Sequence, residues 1–316
     1  MMTHFNLKKC LVGIVVTSIL VSTSPVKMLA ADQTVTNNVY STSSQLNSKD
    51  IETILSAPKE NLTFIKGDFE HTDHLEYTYT NNENTYKIIE DTYGESLGTD
   101  SILYKEEGPG SYEAIGKYSL RIVNGNANYT ISAIDLNQNS VNSLQSESNT
   151  NQIEAITGTI ELNKVERVES GASSVPTSNQ TLTTNASNPS GLPISAWQHQ
   201  GNFFYTTTIA IHTINAVNIA IGYIVNTSGE IGKKATAKIT GIAALVTYIV
   251  NNGIPKIWYT DKVYYKTVLP ADPNQFRMKV AEKRIHTFYE DADRTKNMKG
   301  SPVTSEFWLE GYSDNS

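Results

Sequence analysis

From Leu62 to Asp135 the chain alternates polar and apolar residues, and from Ser170 it abandons charge altogether for a long stretch. "HLEYTYTNNENTYKIIEDTYG" (74–94) keeps period two on both sides of Asn81-Asn82-Glu83-Asn84, which predicts a β-hairpin closed by that polar tetrad. "DSILYKEEGPGSYEAIGKYSLRIVNGNANYTISAIDL" (100–136) continues as further strands, divided at Gly108-Pro109-Gly110 and Asn124-Gly125. Tyrosine is dense here, as suits half-buried pleated faces. "AITGTIELNKVERVE" (155–169) reads as one more strand, and "SKDIETILSA" (48–57) as a short helix with Ser48 as its N-cap.

From Ser170 until Glu230 there is no Asp, Glu, Lys or Arg. The first part, Ser170 to Pro193, is small, polar and proline-bearing, the composition of a linker. The second, "FFYTTTIAIHTINAVNIAIGYIVNTSG" (203–229), places Ala210, Ile214, Val217, Ile221 and Ile224 on one helical stripe, with His212, Asn215 and Asn218 on a narrow polar one. "KKATAKITGIAALVTYIVNNGIP" (233–255) predicts a second apolar helix of about eighteen residues, carrying Ile242, Leu245 and Ile249 and stopped by Asn252-Gly253 and Pro255. Two such helices joined by a short turn make a helical hairpin. Strands return in "KIWYTDKVYYKTV", "FRMKVAEKRIHTFY" and "SPVTSEFWLEGY".

The expected fold is therefore α+β: a β-rich N-terminal domain, then an apolar helical hairpin packed with C-terminal antiparallel strands. The expected divisions are a leader over 1–31, an acidic β-rich domain over 32–169, the linker over 170–193 and the hairpin with its strands over 194–316.

The leader reading rests on Lys8 and Lys9, an apolar core from about Leu11 to Val21, and small residues up to Ala30 and Ala31, the pattern of a secretory signal peptide. It predicts a secreted, extracellular protein. Cys10 is the only cysteine, so the chain beyond the leader has neither disulfides nor thiol chemistry to use. Charge is divided unevenly. Residues 32–169 hold 22 acids against 9 bases, whereas Lys233 to Lys299 hold 13 bases against 6 acids, a net of +7; the imbalance either simply keeps each part soluble or marks a cationic functional half drawn to anionic surfaces.

Catalytic signals are sparse. "EHTDHLE" gathers His71, Asp73, His74 and Glu76, but a strand points residues 71 and 74 to opposite faces, so a solvated turn is the better reading than a metal site. "GEIGKKAT" lacks the glycine spacing of a phosphate-binding loop. The six histidines form no triad that spacing can defend, and His212 reads as a hydrogen-bonded core residue, the alternative being a pH-sensitive group that costs more to bury once charged. No cofactor, metal, enzymatic or nucleic-acid-binding role is predicted.

"YTYTNNENTYKIIEDTYG…SILYKEEGPGSY" resembles the N-terminal strands of exported Gram-positive bacteriocin-like proteins of the geobacillin type. "FFYTTTIAIHTIN", the glycine-bearing apolar helix and "KIWYTDKVYYKTV" are similar to their C-terminal halves. The resemblance implies secretion and antibacterial activity by membrane damage, with a target-cell membrane or surface receptor as partner and a possible immunity protein beside it. Under that reading Ile214, Val217, Ile221, Ile224, Ile242, Leu245 and Ile249 would face lipid. Trp197 and Trp258 would anchor at the interface, and Lys233 and Lys234 would meet headgroups. The alternative is a secreted soluble binding or structural module with the hairpin as buried core.

Overall fold

The computed structural model describes residues 46–69, 71–93, 98–134, 154–170, 191–226, 236–270, 272 and 274–313. The leader, nearly all of the linker, and Lys233 with Lys234 lie outside the described residues.

Helix α1 (Ser48–Ser56) starts one residue earlier than its sequence signal. Asn47, not Ser48, is the N-cap, and it forms a reciprocal capping box with Asp50. Ser48 is instead buried, and its hydroxyl accepts the Ala133 N–H at 3.3 Å. The strands that follow are β1 (Glu60–Lys66), β2 (His74–Asn81), β3 (Asn84–Tyr93), β4 (Gly98–Gly108), β5 (Ser111–Val123), β6 (Asn126–Ala133) and β7 (Ile156–Glu161). They pair in chain order as a seven-stranded antiparallel meander. The turns carry the chemistry that such tight connections require. Asn82 and Glu83 both have positive φ (47° and 66°), as do Asn124 and Gly125 (50° and 82°). Edge strand β1 carries two register irregularities against β2, which roughen an otherwise open edge.

The second sheet is built from β8 (Lys164–Ser170), β9 (Gln198–Thr208), β10 (Thr236–Thr240), β11 (Lys256–Thr267), β12 (Lys279–Tyr289) and β13 (Val303–Trp308) in the order β10-β13-β12-β11-β9-β8, every pair antiparallel. Between its strands the chain forms α2 (Ile214–Asn226) and α3 (Ile242–Asn252). What reads as one strand over 155–169 is two, β7 in the first sheet and β8 in the second, broken at Leu162-Asn163.

This corrects the expected α+β architecture. Strands take 55% of the described residues and helices 16%, and the fold is mostly β. The charge-free run divides between a strand and a helix because Phe203, Phe204, Tyr205 and Thr206 to Thr208 are strand formers, and β9 lies between two hydrogen-bonded neighbours. In the second apolar run, "TAKIT" pairs with β13, and Gly241 at φ 97° turns the chain into α3. A strand thus stands between α2 and α3 where the sequence predicts a tight helical hairpin. With 13 and 11 residues the helices are about 20 and 17 Å long, short of a hydrocarbon layer of about 30 Å. Among the described residues no helix is long and apolar enough to cross a membrane, which leaves strands out of account. The membrane-active helical hairpin is accordingly withdrawn.

Helix α2 contacts β4 of the first sheet, β10 and β13 of the second, and α3. One continuous core cluster runs from Ile51 and Leu55 of α1, through Tyr77, Ile88 and Leu103, across both helices, to Tyr259, Phe288 and Val303. A helix covered on nearly every side can carry no solvated face. That is the physical reason for the missing charges.

Candidate functional site

The outward face of the first sheet carries a groove of about 430 Å3. Strand alternation sends Tyr77, Ile88, Leu103 and Leu120 inward, and their neighbours outward, in rows that the register fixes. One row runs Ile89, Ile102, Lys117, Ser132 across β3 to β6; the next runs Asp91, Asp100, Ser119, Thr130. Tyr93, Gly98 and Arg121 begin a third.

Asp91 and Asp100 are direct cross-strand partners, an arrangement that repels unless neighbouring groups offset it. Each carboxylate has a polar partner. His74 Nδ1 lies 2.6 Å from Asp91 Oδ1, and Arg121 Nη2 donates to Asp100 Oδ1 at 2.8 Å. Arg121 also donates to the Thr99 and Leu120 carbonyls (2.9 and 2.8 Å), and its guanidinium sits 4.9 Å from the centre of the Tyr93 ring. A hydrogen bond to Asp100 raises the Tyr93 phenol above its ordinary pKa. Gly98 makes this clamp possible. A Cβ there would stand 2.6 Å from Arg121 Cδ, so the arginine side chain occupies the space that the glycine leaves.

Two buried polar clusters lie elsewhere. At the N-terminus of α2, the fully buried Glu90 accepts from Tyr77 O–H (3.0 Å), Ser101 O–H (3.1 Å) and Asn215 N–H (3.1 Å), while Tyr77 Oη accepts from Ile214 N–H (3.3 Å). The carboxylate meets two of the helix's orphan donors directly or through the phenol. Burial pushes the Glu90 carboxyl above its ordinary value, with the hydrogen bonds to Thr213, Asn215, Tyr77 and Ser101 opposing it. Lys59, also buried, donates to the Leu55 and Ala57 carbonyls (3.0 and 3.2 Å) and lies 4.8 Å from the centre of the Tyr79 ring. Desolvation lowers its pKa to about 7 against the attraction of Glu90.

The second cluster spans three strands. His286 Nδ1 lies 2.6 Å from Asp261 Oδ1, and His286 Nε2 lies 2.9 Å from Ser305 Oγ. The bonding order is that of a serine-hydrolase relay. Its surroundings are not, because Ser305 and His286 are wholly buried and Asp261 is 2% exposed. Asp261 Oδ2 also faces Arg284 Nη1 at 3.6 Å, and Arg284 Nε donates to the buried Glu282 at 2.7 Å. With the nucleophile sealed, this is a polar ladder that locks β11, β12 and β13 into register.

The residues singled out from sequence are placed as follows. Ile214, Val217, Ile221, Leu245 and Ile249 have no exposed surface and Ile224 has 1%; Ile242 is half-buried against the same core. Trp197 packs edge-on against Trp308 at 5.9 Å, with Lys283 4.4 Å from its ring centre, and Trp258 lies under Lys256 at 5.0 Å. His212 Nε2–H donates to the Ile254 carbonyl at 2.9 Å, and burial lowers its pKa to about 4. His71 pairs with Asp68, His74 with Asp91 and Glu76 with Lys87, so the early acid–histidine cluster disperses. Among the described residues no group of three or more His, Cys, Asp or Glu could hold a metal ion.

No family model, curated protein or solved structure matches this chain. These comparisons speak neither for nor against the geobacillin-type resemblance, and the functional reading rests on the residues themselves. Sequence reasoning missed the groove because its members lie between residues 74 and 132 and meet only across strand register. The signal it held was the outward half of the alternation, in which Asp91, Asp100, Ser119 and Thr130 share one parity within their strands.

Proposed function

We propose that this chain is an exported binding module: its apolar helices are core, and its ligand site is the groove on the outward face of the first sheet. The observation that carries this reading is the burial of the helices. The residues that would have to meet lipid, Ile214, Val217, Ile221, Leu245 and Ile249, are 0% exposed and belong to one continuous core cluster with residues of both sheets. Turning them outward would dismantle the core that both sheets share. Fully burying one such side chain is worth about 1.5–3 kcal/mol, so five of them amount to about 7–15 kcal/mol, comparable to the whole stability of a domain. The signal-peptide pattern around Lys8, Lys9 and Leu11 to Val21 supports export.

Dye release from phosphatidylglycerol vesicles, with circular dichroism recorded on the same samples, tests the reading. The folded protein should release no dye at micromolar concentration and keep its strand spectrum throughout. Release by protein that keeps that spectrum would overturn the assignment of the helices to a permanent core.

A further inference from the structure

We propose that the groove on the outward face of the first sheet binds a neutral oligosaccharide; this rests on the binding-module reading above. Four features of the groove point to that chemistry. Its charges are mixed: Asp91, Asp100 and Lys117 line it and Arg121 pairs with Asp100 from beside it, so a ligand of strong net charge would not meet one sign without the other. Its hydrogen-bonding groups are small and closely spaced, with the hydroxyls of Ser119, Thr130 and Ser132 following the carboxylates across neighbouring strands. Its floor is an apolar strip, the cross-strand pair Ile89 and Ile102, each half-buried. Its rim presents the Tyr93 ring, 46% exposed and backed by the Arg121 guanidinium.

A pyranose has the matching duality. Its C–H face packs on an aliphatic or aromatic surface, while its ring of hydroxyls both donates and accepts. A carboxylate accepts from sugar hydroxyls, a lysine ammonium donates to them, and serine and threonine do both. Asp100 is held in place by Arg121 Nη2 at 2.8 Å, so it meets a ligand with its orientation already fixed, which reduces the ordering lost on binding. At about 430 Å3 the groove lies within the ~300–1,000 Å3 range of small-molecule sites and accommodates a short oligosaccharide.

The test is titration calorimetry, supported by ligand-observed NMR, with tetramers of glucose, xylose and N-acetylglucosamine as probes. At least one should bind saturably at millimolar concentration or below. Tyr93→Ala and Asp100→Asn should each weaken that binding about tenfold while leaving the melting temperature near that of the wild type, since both side chains are substantially exposed. Absence of binding by all three probes overturns the proposal, as does binding that neither substitution alters. If the sugars fail but an acidic or basic peptide pool binds and Tyr93→Ala weakens it, the saccharide assignment falls and the binding module stands. If the sugars and peptides both fail and the folded protein permeabilises vesicles, both readings fall together.

Discussion

Replacing the buried Lys59 by methionine should flatten the stability of this protein against pH. Lys59 is 1% exposed, wedged under the end of α1, with its ammonium on the Leu55 and Ala57 carbonyls and against the Tyr79 ring. Burial lowers its pKa from 10.5 to about 7. Below pH 7 the lysine is charged in both the folded and the unfolded chain, and folding bears the full penalty of burying the charge. As pH rises, the folded chain releases the proton first and the unfolded chain holds it until about 10.5, so the unfolded state binds more protons and stability climbs. The slope approaches about 1.4 kcal/mol per pH unit, and integrating from the half-ionised point gives about 2 kcal/mol between pH 7 and pH 9. For a chain of this size that is roughly 4–8 °C in melting temperature. Other groups act outside this window or are shared by both chains. His212, lowered to about 4, works on the acid side, and the raised tyrosines Tyr77, Tyr79 and Tyr118 work above their ordinary value of 10. Glu90, whose raised pKa has the opposite sign, is present in both proteins and drops out of the comparison to first order. Urea unfolding at half-unit steps from pH 6 to 9.5 should show the wild type gaining about 2 kcal/mol and Lys59→Met changing far less. A wild-type curve that is level or falling from pH 7 to 9, or a variant that keeps the same rise, would refute the buried-lysine argument.

Two further substitutions probe the capping carboxylate and the groove. Glu90→Gln keeps the shape but turns an N–H group toward donors that Tyr77, Ser101 and Asn215 already supply, and should cost about 1–3 kcal/mol by urea unfolding; a neutral effect would mean that the carboxylate is not what satisfies the start of α2. Gly98→Ala puts a methyl 2.6 Å from Arg121 Cδ and 3.0 Å from the Leu120 carbonyl, and should cost about 1–3 kcal/mol. That cost should shrink in an Arg121→Ala background, and an equal cost in both backgrounds would show that Arg121 is not what the glycine accommodates.

The first sheet was legible because its information is local. Turn residues that tolerate positive φ, Asn82-Glu83 and Asn124-Gly125, sit between alternating runs, and each hairpin fixes the register of the next. The charge-free run failed for a different reason. An apolar segment denied charge by burial looks the same to a periodicity argument whether it is a strand between two neighbours or a helix between two sheets, and 203–226 is one followed by the other. Its clue was composition: Phe203 to Thr208 holds three aromatics and three threonines, whereas Ile214 to Asn226 has a single aromatic, Tyr223, and sets Ala216 and Ala220 among its aliphatic residues.

The polar clusters show where local reading ends. Asp261, His286 and Ser305 are 25 and 19 residues apart, and nothing in their neighbours announces a partnership. Register assembles them: Asp261 lies directly opposite His286 on β11 and β12, and Ser305 stands two pairs along on β13, opposite Arg284 and so on the same face. The same mechanism sets Asp91 opposite Asp100 and brings Arg121 over Gly98. The two outcomes then diverge by face. On the inward side of the second sheet, a histidine relay without solvent can only stabilise pairing, because a serine that no substrate reaches cannot act as a nucleophile. On the outward side of the first, matched charges remain within reach of a ligand. Burial, more than the identity of the residues, separates the structural cluster from the candidate site.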